Sequence, residues 1–332
     1  MPIFSNRKVR KDFDFFKACS WYVPGVGGMF SVLGWFLIGM ILAAIVCMPL
    51  IFLKVDMCYI ILVMYPVQFV PVLVHVKLQS SMNSTFDRGY SLDSNHFGKS
   101  GGALTALLAV IATLGASMML ELLSYYLPEM SDHMKETMEA LTGGPLWTSL
   151  LSTAVFAPVL EEWMCRGVVL RGLLNHESRK AVNGEVTVRK MSPALAIIIS
   201  AIFFGAIHGN LWQGISAFLI GCLMGYVYYR TGSLKLTILM HCTNNALSVL
   251  IGHFSGESLK DAKSLVQVIP AWEYAIIFIV SAAVVLYFIK FLKDVEITSE
   301  SGNCDVIPNA DDRFEAEKKE KEASGEQNIL NN

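Results

Sequence analysis

The chain has 332 residues, 54% of them hydrophobic and 16% charged, with a net charge of −2 and a mean hydropathy of +0.49. Soluble domains carry about 25% charged residues, so a deficit concentrated in long apolar blocks excludes an ordinary soluble domain and points to a polytopic membrane protein. With no basic face, nucleic acid is excluded as a partner; the seven cysteines lie mostly in apolar runs without a Cys-x-x-Cys pair, which argues against a disulfide framework.

The basic stretch Arg7-Lys8-Val9-Arg10-Lys11 runs into Asp12 and Asp14 rather than an apolar core, so residues 1–27 read as a cytoplasmic segment and not as a cleaved signal. A membrane span needs about 20 apolar residues. Eight blocks qualify, at about 28–53, 57–76, 103–127, 146–174, 193–210, 211–229, 235–252 and 271–292, and the expected fold is an all-α transmembrane bundle. The first three fall within 28–144, which carries no motif. Basic residues gather before the first block, at 77–102 and at 166–190, whereas 129–139 is acidic. That alternation places both termini in the cytoplasm.

The fourth block, where Pro158 predicts a kink, puts Glu161, Glu162 and Arg166 into apolar surroundings. Ionisable groups at such depth are costly and call for an explanation. Glu162 and Arg166, four apart, share a helix face and are expected to pair, which leaves Glu161 free for other work. The fifth block ends in Phe204-x-x-x-His208, and a tight hairpin at Gly209-Asn210 leads into the sixth. Gly205-x-x-x-Gly209 and Gly221-x-x-x-Gly225 read as helix-packing surfaces. In the seventh block His241 and Asn245, also four apart, present two polar groups in one direction. At 1.5 Å per residue, Glu161 counted from Asn175 and His208 counted from Pro193 reach similar depths, roughly 21 and 22 Å. His241 counted from Lys235 reaches only roughly 9 Å, so the seventh helix must start deeper or tilt. A last loop and final span occupy 253–293, and residues 294–332 form a charged tail with the composition of a disordered segment.

Taken together, Glu-Glu-x-x-x-Arg at 161–166, Phe-x-x-x-His at 204–208 and His-x-x-x-Asn at 241–245 resemble the three motifs of the CAAX-protease and bacteriocin-processing (CPBP, or Abi) family. The resemblance covers about 145–252 and implies a catalytic cavity among helices four to seven. It implies an endopeptidase acting on membrane-associated proteins or peptides, with Glu161 activating water, His208 positioning it, and His241 and Asn245 stabilising the oxyanion. Glu162 and Arg166 would support the helix. A prenylated C-terminal tail is the substrate of eukaryotic members; bacterial members point to peptide maturation, bacteriocin immunity or regulated cleavage of membrane proteins, in the inner (cytoplasmic) membrane. Two cofactor readings stand: no required cofactor, which is preferred, or a zinc ion held by Glu161, His208 and His241. A non-catalytic scaffold or immunity protein and a proton-coupled transporter are the alternatives, although the internal repeats of a transporter are not visible. The oligomeric state is left open.

Overall fold

The structure, a computed structural model, describes residues 19–83, 89–93, 97, 100–132, 134–136, 144–182, 185–254, 264–295 and 306–307. Most of the N-terminal segment, part of the acidic loop and nearly all of the charged tail lie outside the described residues.

Each of the eight apolar blocks forms a helix. These are α1 (Val26–Phe52), α2 (Met57–Asn83) and α3 (Gly101–Tyr126); a rod, α4, of five abutting segments (Leu146–Ser149, Leu150–Phe156, Ala157–Glu162, Trp163–Leu170 and Arg171–Asn175); and then α5 (Pro193–Ala206), α6 (Leu211–Thr231), α7 (Leu234–Phe254) and α8 (Ala271–Lys293). Six of them, α1, α2, α3, α6, α7 and α8, are long and apolar enough to cross a membrane. The other two differ from simple spans. In α4 the second and fourth segments are π-helical, and α5 has only 14 residues. α5 stops at Ala206, short of the expected residue 210, because Gly209 turns back with φ +66°, a left-handed conformation that glycine adopts at no steric cost. Asn210 then caps α6, its side chain accepting from the Gln213 backbone N–H at 2.9 Å.

Close backbone approach sets the packing. A Cβ on Gly39 of α1 would fall 1.8 Å from the Gln68 carbonyl oxygen of α2, and one on Gly205 of α5 would fall 2.6 Å from that of Gly214 on α6. Gly221 and Gly225 likewise face Arg166 and Ile197, as packing glycines should. Gly209 is different: nothing lies within 4 Å of its absent side chain, so it is a turn residue and not a packing one.

The middle of α4 is the core. Met164, Cys165, Val168, Val169 and Leu170 are all fully buried, as expected of a helix apolar all round. The outer helices instead expose apolar faces, including Leu37, Ile41 and Ile45 on α1 and Ile276, Ile279 and Leu286 on α8. Such continuous apolar surface is a liability in water and is matched by lipid. Small strands decorate the bundle. Cys19–Ser20 (β1), Gly89–Ser91 (β2) and Val306–Ile307 (β5) pair antiparallel in the order β1-β2-β5, and Glu177–Val182 (β3) pairs with Glu185–Lys190 (β4) between α4 and α5.

Candidate active site

Glu162 and Arg166 pair as their spacing requires. Arg166 Nη1 donates to Glu162 Oε1 at 2.6 Å with both side chains fully buried. The guanidinium is held further by the Gly221 carbonyl at 3.1 Å and by the face of Phe204, 4.4 Å from the ring centre. A side chain at Gly221 would meet Arg166 Nη2 at 3.3 Å and the Phe204 ring at 3.1 Å, so the seat for the arginine depends on that glycine. Arg166 thereby ties α4 to α5 and α6.

Glu161, about 100° round the helix, points elsewhere and is 7% exposed. Its Oε2 has no hydrogen-bond partner among the described residues. Two imidazoles face that oxygen, His208 Nε2 and His241 Nε2, each at 3.9 Å. Their other nitrogens fix the tautomers. His208 Nδ1 lies 2.8 Å from the Phe204 carbonyl oxygen and His241 Nδ1 lies 3.1 Å from Glu162 Oε1. A carbonyl or carboxylate oxygen only accepts, so each Nδ1 carries a hydrogen and each Nε2 is the nitrogen turned toward Glu161. The Phe204 ring sits edge-to-face against both imidazoles, at 5.1 and 5.4 Å between centres.

The start of the helix that carries His241 is buried in protein. Thr231, Ser233 and Leu234, at the α6–α7 turn, are at most 1% exposed. The turn is roofed by the 89–93 segment: Asp93 Oδ1 accepts from the Leu234 and Lys235 backbone N–H groups at 2.7 and 3.2 Å and from Ser233 Oγ at 3.2 Å. Asp93 Oδ2 also pairs with Lys235 Nζ at 3.1 Å. α7 therefore starts inside the protein, capped by a residue 141 positions away.

Asn245 stands one turn beyond His241 but bonds away from the carboxylate. Its Nδ2 donates to the Thr153 carbonyl at 2.8 Å, and its Oδ1 accepts from Asn244 Nδ2 at 3.0 Å, while Ser117 Oγ of α3 reaches Asn244 Oδ1 at 2.8 Å. The Thr153 carbonyl is free to accept for a local reason. In this π-helical stretch the Ala157 N–H bonds to the Ser152 carbonyl; the next nitrogen along belongs to Pro158, which has no hydrogen. The kink expected at Pro158 is thus realised as a change of helical register that leaves a carbonyl for Asn245.

A residue without a motif completes the cluster. Tyr65 of α2 donates its phenolic hydrogen to Glu161 Oε1 at 3.1 Å. It belongs to the inward stripe of α2 formed by Ile61, Phe69, Val72 and Val76, so its spacing in sequence marks it only as buried.

Chemically, this is a carboxylate with one oxygen restrained and the other bare, in a pocket lined by two imidazoles. His208, with 18% of its side chain exposed, is the most accessible of the three groups. The same set suits zinc: a carboxylate oxygen, two Nε2 lone pairs, and Nδ1–H groups bound to a carbonyl and a carboxylate, which is how metal-ligating histidines are usually oriented. The 3.9 Å separations exceed the roughly 3.3–3.5 Å between donors sharing a tetrahedral zinc, and no group of three His, Cys, Asp or Glu among the described residues stands ready-formed around a metal position.

Comparison with curated proteins and with solved structures gives no match. Residues 143–247 match the family described as type II CAAX prenyl endopeptidase Rce1-like, which agrees with the resemblance seen in the three motifs. The match contains Glu161, His208, His241 and Asn245 and leaves out α1, α2, α3 and α8. The chain is thus a polytopic helical membrane protein whose residues 143–247 match the model of the Rce1-like type II CAAX prenyl endopeptidase family.

Proposed function

We propose that the chain is an intramembrane endopeptidase in which Glu161 is the general base. The observation that carries this reading is the bare, buried Glu161 Oε2 facing two imidazole nitrogens at equal distance. A water seated there donates one hydrogen to Glu161 Oε2 and the other to His208 Nε2. Its oxygen then bonds to the scissile carbonyl carbon as Glu161 takes the proton. The C–N bond breaks when that proton passes to the leaving amine, so Glu161 returns to its starting state. The oxyanion falls to the second N–H of Asn245 Nδ2 and to His241. Because Nδ1 of His241 donates to Glu162, Nε2 donates to the oxyanion only when the ring enters the cycle already protonated, a charge that Glu162 is placed to stabilise.

The matched family's description suggests a lipidated, CAAX-type C-terminal tail as substrate, approaching through the bilayer. Purified full-length protein in lipid nanodiscs is assayed with a fluorogenic peptide ending in a farnesylated CAAX sequence. Glu161→Gln is expected to retain the wild-type melting temperature and to lose activity by about 10²–10⁴, the usual contribution of a general base. Wild-type activity in Glu161→Gln rules out the mechanism.

The opposed lone pairs favour a second reading, in which zinc is held by Glu161, His208 and His241 and acts as a Lewis acid. Elemental analysis separates the two. Stoichiometric zinc that is lost in both His208→Ala and His241→Ala supports the metal; activity that survives prolonged chelation with far less than one zinc per chain supports the bare carboxylate.

A further inference from the structure

The two oxygens of Glu161 are not equivalent, and what separates them lies outside the family match. Oε1 accepts from the Tyr65 hydroxyl at 3.1 Å, whereas Oε2 has no hydrogen-bond partner among the described residues and looks at His208 and His241. A carboxylate on a long side chain can rotate about its terminal torsion, which is broad and roughly two-fold. Without a restraint, either oxygen could turn toward the imidazoles and the group could spread over several poses. One donor on one oxygen removes that freedom.

Tyr65 is well placed to be such a restraint. It sits on the buried stripe of α2, four residues from both Ile61 and Phe69, and Phe69 is locked edge-to-face with Phe36 of α1 at 5.3 Å between ring centres. α1 and α2 touch backbone to backbone at Gly39 and Gln68. The phenol is thus carried, next to Pro66 of α2, by a closely packed helix pair that is separate from α4 to α7. α2 also packs on α4 itself, so the position of the phenol relative to Glu161 is set by direct helix contact.

We propose that Tyr65 is a positioning residue for Glu161. By donating to Oε1 it presents Oε2 as the single basic oxygen, which makes the motif-free α1–α2 pair a part of the active site. This rests on the reading of Glu161 as the general base. A hydrogen bond to a charged group has the strength to hold one orientation, and loss of an orienting contact in the reactive geometry lowers turnover without weakening substrate binding.

The test is Tyr65→Phe in full-length protein in nanodiscs, assayed with the farnesylated fluorogenic peptide. kcat is expected to fall about 10- to 100-fold, the equivalent of one charged hydrogen bond, with KM and melting temperature unchanged. Infrared difference spectra give a readout independent of turnover: the Glu161 carboxylate band, identified by its loss in Glu161→Gln, should shift in Tyr65→Phe. Wild-type kcat and an unshifted band in Tyr65→Phe, with Glu161→Gln inactive, overturn the role of Tyr65 and leave the general base standing. Full activity in Glu161→Gln removes the general base, and the positioning role with it. Should Tyr65→Phe fail to fold, a ring-fluorinated tyrosine at position 65 keeps the shape and strengthens the donor. The carboxylate band must then move, and an unmoved band overturns the proposal.

Discussion

Glu162 Oε1 serves two cationic or polar partners at once, Arg166 and His241, while Glu162 Oε2 and Arg166 Nε lack hydrogen-bond partners among the described residues. Removing one partner from a buried pair leaves an uncompensated charge and typically costs about 3–5 kcal/mol. Arg166→Ala is therefore expected to lower the melting temperature in detergent sharply and to reduce folded yield. The double variant Arg166→Met with Glu162→Gln, which buries no unpaired charge, should recover most of the loss. A melting temperature unchanged in Arg166→Ala would mean that water reaches Glu162 and that the pair does not bear on stability. The i, i+4 spacing made this pair readable in sequence, as it did the freedom of Glu161 to point elsewhere. Tyr65 was not readable in the same way, because its partner lies 96 positions away and a tyrosine in an apolar stripe resembles any core residue.

At the scale of elements, the placement of α7 is the determining feature. Counting residues from a helix end takes that end as a free surface, and the start of α7 is instead buried in protein. Its N-terminus is capped within the protein by Asp93, which lies in a polar loop whose sequence gives no sign of that partner. Asp93→Ala strips the acceptor from two backbone N–H groups and is expected to cost about 0.5–2 kcal/mol in thermal unfolding, the usual range for a lost helix cap. It should also reduce turnover as His241 loses its register, whereas Asp93→Asn, which retains an acceptor oxygen, should be milder on both counts. Equal damage from the two substitutions would assign the effect to the ion pair with Lys235 instead. The β3–β4 hairpin had a local signature, Asn183-Gly184 between runs of alternating residues, hidden beneath the charge pattern used for topology.

For the whole molecule, each of the eight apolar blocks forms a helix, although α2 runs seven residues past the expected 76 and α5 stops four short of the expected 210, because burial in lipid and burial in protein make the same demand on composition. What composition could not convey is that the middle of α4 is central and protein-covered while α1 and α8 face outward, and that α5 buries one face and exposes Leu195, Ile198 and Ile202 on the other. The alternation of basic and acidic loops still predicts the orientation. Reporter fusions after Gly102 and within 176–190 should lie on the cytoplasmic side, and fusions within 129–142 on the other. An external signal from 176–190 would invert the scheme and bring the β3–β4 hairpin to the opposite face.

Pro158 leads to a consequence of another kind. The Thr153 carbonyl that holds Asn245 has no π-register donor, since that nitrogen belongs to Pro158 and carries no hydrogen, while its α-register donor, the Ala157 N–H, is engaged by the Ser152 carbonyl. One helical competitor for that carbonyl is removed by covalent structure, and the other is held one position back by the π register. A dipole fixed in this way need not reorganise as charge develops in the transition state, and that spared reorganisation is the main source of catalysis by preset dipoles. A proline commonly regarded as a flaw in a helix here removes one competitor for the carbonyl that holds Asn245.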